Sequence, residues 1–273
     1  MNNVFDINRF GKYFMYELGR AKVNFMASAI VCGISPAIFL AIFEFFSFLF
    51  SGEHVSGMET LAQGCGLFTI LIVFTLVMPV KLFGQITEKR FGSNWLMMPA
   101  SVLEKTITMI LMVCVVAPAF TAAVYFATDG ILSLCFPVAY GGSIFSSLKG
   151  LNEAMKVFSE INITFNLWGL LIIDYIVWAL TFLLGSIFFK DRKVIKTILV
   201  ILLLGMVGST LFGTFVSLVG FSGLESMFRS FEDDFLMVEH AFTCFNIFLN
   251  CYYFILIAGL SLGIFFRVKT LKQ

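Results

Sequence analysis

Between Val23 and Phe50 the sequence holds a single charged residue, Glu44. An α-helix rises about 1.5 Å per residue and a bilayer's hydrocarbon core is about 30 Å thick, so roughly 20 apolar residues suffice to cross it. The run exceeds that length and predicts a tilted or projecting transmembrane helix with a kink at Pro36. Five more apolar runs follow, at about 61–80, 102–127, 163–189, 194–221 and 241–266. Charged residues make up 13% of the chain, against about 25% in a soluble domain, and 35 phenylalanines cannot all be shielded from water at this size. The expected fold is all-α: one polytopic membrane domain of six transmembrane helices.

Charge fixes the expected orientation. Residues 1–22, 81–105, 190–196 and the C-terminal tail together hold 15 of the 18 Lys and Arg; Lys149, Lys156 and Arg229 are the other three. Cytoplasmic loops concentrate Lys and Arg. Both termini and the Lys81–Lys105 loop are therefore expected inside, with 128–162 and 222–240 outside. Within 1–22, Phe10, Phe14, Leu18 and Ala21 share one helical face while Arg9, Lys12 and Arg20 lie largely elsewhere. That pattern fits an interfacial amphipathic helix, or a simple charged tail. In the external 128–162 segment, a short apolar stretch broken by Pro137 reads as interfacial or re-entrant.

The Lys81–Lys105 loop is the longest polar interruption in the first half of the chain. Gly92 marks a break after the second run, and Ser101 followed by Glu104 has the spacing of a capping box, which starts the third helix. Besides Glu104 in the first turn of the third run, two acids fall within apolar runs. Asp174 lies well inside the fourth, and Glu44 near the outer end of the first. An intramembrane acid marks either a pathway or a hydrogen bond to a neighbouring helix, and Glu44 can also snorkel. Gly205, Gly208, Ser209 and Gly213 give the fifth helix a small-residue surface suited to close helix packing, within the protomer or at a dimer interface.

Several chemistries lack their residues. There is no phosphate-binding G-x-x-x-x-G-K-[ST] loop and no H-E-x-x-H, and no Ser/His/Asp set presents itself. The only histidines are His54 and His240, and the six cysteines are scattered without metal-ligand spacing. No catalytic or metal residues are assigned, enzyme is the minority reading, and a net charge of +1 gives no case for nucleic acid.

The layout resembles the membrane subunit of ATP-binding-cassette exporters of the type-2 permease class. That class has an interfacial N-terminal helix, six spans, cytoplasmic termini and a coupling helix between spans 2 and 3. The local sequence Met98-Pro99-Ala100-Ser101-Val102-Leu103-Glu104-Lys105 is similar to an L-P-A-S-x-x-E-K run of permease-like proteins from Bacteroides-type bacteria, with Met98 for the leading Leu. The resemblance implies a bacterial inner-membrane permease, homodimeric or paired with a related permease. A separate cytoplasmic ATPase would hold the ATP and Mg, and this chain no cofactor. It places Glu88, Lys89, Arg90, Trp95 and Leu96 in or beside the coupling helix. The substrate is unidentified, a lipid or peptide suiting the many Phe. The alternative is a non-transporting accessory, sensor or assembly protein with a permease-like fold.

Overall fold

The computed structural model describes residues 5–51, 58–87, 92, 95, 97–140, 142–144, 167–219 and 235–271. All regular structure among them is helical. Helix α1 (Ile7–Gly33) starts at Asp6, whose carboxylate accepts from the backbone N–H of Asn8 and Arg9 at 2.9 and 3.4 Å. No proline interrupts it, and it runs past Lys22 without a break. The expected interfacial helix and the start of the first span are thus one continuous helix. It ends at Ile34, and α2 (Ser35–Ser51) departs at 46°. Pro36 explains the bend: it has no N–H to donate, and its ring collides with the carbonyl four residues back, that of Cys32. At the bend α1 lies so close to Val124 that a Cβ on Gly33 would sit 2.4 Å from its Cγ1.

Two composite rods follow. The first is α3 (Met58–Ile72), a π turn (Val73–Val77), α4 (Met78–Phe83) and a 3-10 turn (Gly84–Thr87). The second is α5 (Val102–Leu111), a π turn (Met112–Val116) and α6 (Ala117–Cys135). Each π turn is followed by a helix with proline at its second position, Pro79 or Pro118. In the second rod the Ala117 N–H reaches five residues back, to the Met112 carbonyl. The next bond of that register would run to Val113, but Pro118 cannot donate it. The Tyr175 hydroxyl supplies the missing donor, at 3.0 Å from the Val113 oxygen.

Short α7 (Pro137–Tyr140) is followed by α8 (Leu167–Phe188), α9 (Lys193–Val219) and α10 (Phe235–Leu271). Helix α8 lies at the centre. Its Ala179, Leu180, Leu183 and Ile187 are buried among Phe74, Met78, Phe83, Met109 and Met112 of the two rods, and both π turns pack against it. Helix α9 approaches it closely at Gly185, where a Cβ would strike the Thr197 hydroxyl. Beyond that approach α9 is exposed from Leu202 to Leu211.

Four stretches are long and apolar enough to cross a membrane: Leu61–Thr87, Val102–Cys135, Lys193–Leu211 and Asn246–Leu271. The bent pair Phe25–Gly33 and Ser35–Phe50 makes a fifth, and Ile172–Phe188 is a shorter apolar helix. The described residues thus form an all-helical fold with four to five stretches long and apolar enough to cross a membrane, as an integral membrane protein requires. One boundary differs in an instructive way from its sequence expectation: the third helix does not stop near residue 127 but continues to Cys135. Asp129, just past that expected end, is fully buried. It accepts from the Tyr140 hydroxyl at 2.6 Å and the Ile144 N–H at 2.9 Å. The segment after α6 folds back and satisfies the acid that would otherwise end the helix.

Candidate functional site: a polar junction beneath the rods

The loop between the two rods is held by charged and aromatic side chains from three directions. Its C-terminal end is a full capping box. The Glu104 N–H donates to the Ser101 hydroxyl at 3.2 Å, and the Ser101 N–H to Glu104 Oε2 at 2.8 Å. The same carboxylate also reaches α1. Arg9 grips it with Nε at 2.8 Å from Oε2 and its terminal nitrogen at 2.7 Å from Oε1, while the Asp6 N–H donates to Oε1 at 2.9 Å. Glu104 therefore sits at the positive ends of two helix dipoles and opposite a guanidinium, which offsets its complete burial. Its hydrogen bonds hold the Arg9 guanidinium yet more firmly protonated than usual.

Beside this pair runs a second chain of contacts. The Lys105 ammonium donates to the Trp95 carbonyl at 2.9 Å and lies 4.5 Å from the centre of its ring. The Trp95 indole N–H donates to the Tyr13 hydroxyl at 3.0 Å, and that hydroxyl donates to Glu17 at 3.0 Å. Arg20 closes the chain at 3.5 Å from Glu17. Burial raises the Glu17 carboxyl above its ordinary range, against the opposing pull of Arg20, Tyr13 and Lys105. Burial, then the Glu17 charge, makes the Tyr13 phenol much harder to ionise than usual.

The third tie joins the N-terminal end of the loop to the turn before α9. The Lys193 ammonium donates to the Gly84 carbonyl, and Thr87 caps the same oxygen at 3.0 Å. The turn contains Arg192 at φ 48°, in the left-handed region, which ends the α8 direction sharply. Gly92 is required by space, because a Cβ there would lie 2.4 Å from the Ile86 carbonyl oxygen.

Of the residues singled out in the loop, Trp95 is in the junction as a buried side chain, 2% exposed, rather than a surface anchor. Glu88, Lys89, Arg90 and Leu96 lie outside the described residues. Asp174 is half-buried on α8, facing Tyr253 of α10, and Glu44 is half-buried on α2. Neither joins the junction. Gly205, Gly208 and Gly213 face outward with nothing within 4 Å of a Cβ built on them, and the exposed Ser209 hydroxyl bonds back to Met206. Arg9, Tyr13 and Glu17 are the junction members the sequence did not disclose, since each partner there is either remote in sequence or on the same helix by an unremarkable spacing. The far end of the rods has its own smaller network. Gln63 donates to the Gly142 carbonyl at 2.9 Å and receives Tyr125 on its backbone at 3.2 Å, beside Asp129 and Tyr140.

Among the described residues no three His, Cys, Asp or Glu side chains come together as metal ligands, and the cysteines are free thiols. What the junction provides is mechanical: three helices and one loop fastened at a few points. No protein family, curated protein or solved structure matches the chain.

Proposed function

We propose that the chain is the permease subunit of an ATP-binding-cassette exporter in a bacterial inner membrane, working as a dimer with a separate ATPase. In this reading it has six spans, with α8 as the fourth, and both termini and the Lys81–Lys105 loop lie in the cytoplasm. One observation carries it: the loop between the second and third spans is tied to α1 by Arg9–Glu104 and Tyr13–Trp95, and to the α8–α9 turn by Lys193–Gly84. A docked partner pressing on that loop displaces α1 and the third span together, as a coupling element requires. The concentration of 15 of 18 cations on the same side supports the orientation.

The test is co-purification from native membranes. A tagged chain is expected to bring down an ATPase that hydrolyses ATP, and Lys89→Glu with Arg90→Glu is expected to release it while leaving the permease membrane-inserted. Recovery of the chain with no ATPase, unchanged by the reversal, refutes the proposal and leaves a non-transporting accessory or sensor.

A further inference from the structure

A second feature owes nothing to the ATPase reading. Between α1 and the second rod lies a cleft of about 330 Å³, at the small end of the range for ligand pockets. Gly19, Lys22 and Met26 form one wall; Met112, Val116 and Phe120 form the other. The second wall is the π turn and the first turn of the helix that follows Pro118. Gly19 leaves the space open, since a Cβ there would meet nothing within 4 Å.

We infer that this cleft holds one acyl chain of an anionic phospholipid, with the headgroup at Lys22. The lining is apolar apart from one charged residue, Lys22, which is exposed at the rim. Both walls belong to apolar helices of a membrane protein, and the neighbouring Met15 and Val23 are 65% and 82% exposed, so the cleft opens towards lipid. A flexible hydrocarbon chain suits walls rich in unbranched, adaptable Met. A lysine stem can lie along such a surface while its ammonium reaches the headgroup level. No acid lines the cleft. The nearest carboxylate along α1, Glu17, is buried and engaged by Tyr13 and Arg20. The rim therefore presents net positive charge and favours a headgroup with net negative charge over a zwitterionic one.

The experiment is native mass spectrometry of the detergent-purified chain with phosphatidylglycerol or phosphatidylcholine added. The wild type is expected to retain one phosphatidylglycerol at energies that strip phosphatidylcholine. Lys22→Gln changes only an exposed side chain and is expected to lower that preference about fivefold, the worth of one lysine beside an anionic lipid. Gly19→Leu and Val116→Phe fill the cleft from opposite walls, and each is expected to remove the retained lipid while elution stays monodisperse. Equal retention of the two lipids by the wild type overturns the inference. So does an unchanged preference in Lys22→Gln, which keeps the test decisive even if both filling variants fail to assemble. Undiminished retention in a folded filling variant overturns it as well.

Discussion

At the scale of single residues, Glu104 meets an arginine and two backbone N–H groups on different helices, so its substitutions should not add. Removing Arg9 leaves a buried carboxylate without its cation. Removing Glu104 leaves a guanidinium that, at 38% exposure, water can reach. Arg9→Gln and Glu104→Gln are each expected to lower the unfolding temperature in detergent, and the double variant to lose less than the sum. Glu17 gives a pH signature. Its carboxyl titrates above the ordinary value of 4.5 when folded, so the folded chain holds that proton more tightly than the unfolded one. The contribution to stability is present below 4.5 and is lost as pH rises through the folded value. Relative to wild type, Glu17→Gln should gain stability as pH rises through that window, measured as the difference in melting temperature between the two. The sequence made half of this site legible. Ser101 and Glu104 are three residues apart and announce a cap, whereas Arg9 is 95 residues from Glu104 and no local pattern joins them. Trp95 next to basic residues reads as an interfacial aromatic, and only the positions of Tyr13 and Lys105 make it a core residue.

At the scale of helices, the π turn before Pro118 and the Tyr175 hydroxyl form a unit. Tyr175→Phe leaves the Val113 carbonyl without a donor and is expected to cost about 0.5–1.5 kcal/mol. Pro118→Ala restores an N–H that can take over that carbonyl. In the Pro118→Ala background the cost of Tyr175→Phe should therefore shrink, a coupling that a four-variant thermal series would expose. Failure of the two changes to interact would show that the hydroxyl does not serve the proline. Pro118 was visible in the sequence as an interruption of an apolar run. Whether it kinks, ends or widens the helix depends on a donor from α8, which periodicity does not report. Asp129 taught the same lesson in reverse. The third apolar run ends near residue 127, yet the helix goes on because Asp129 finds its partners in Tyr140 and Ile144, which come later in the sequence.

At the scale of the molecule, the apolar runs were legible because crossing a bilayer demands length and hydrophobicity together. Their joints were less so. The first 22 residues have the pattern of a surface helix, but continuity into Val23 is decided by the absence of a breaker and by docking on Trp95 and Glu104. The orientation proposed above is open to a direct check. In a background with the other cysteines replaced by Ser, Ile7→Cys and Arg192→Cys should react with an impermeant maleimide only from the cytoplasmic face, and the exposed Cys135 only from the opposite face. Labelling of all three from one face would contradict it.

The tie between Arg9 and Glu104 also has a temporal side. The first helix leaves the ribosome long before the carboxylate it grips, and domains fold as synthesis delivers them. Until the third span has been made, α1 has neither Glu104 nor Trp95 to dock on, and its Arg9, Tyr13 and Glu17 remain in water or at the lipid surface. Helix α1 is thus translated before the partners it docks on, and it can be seated only once Trp95 and α5 have been made. Nascent chains arrested before Trp95 should leave Tyr13→Cys open to an impermeant thiol reagent, and chains arrested well after Cys135 should protect this position, which is buried in the folded chain.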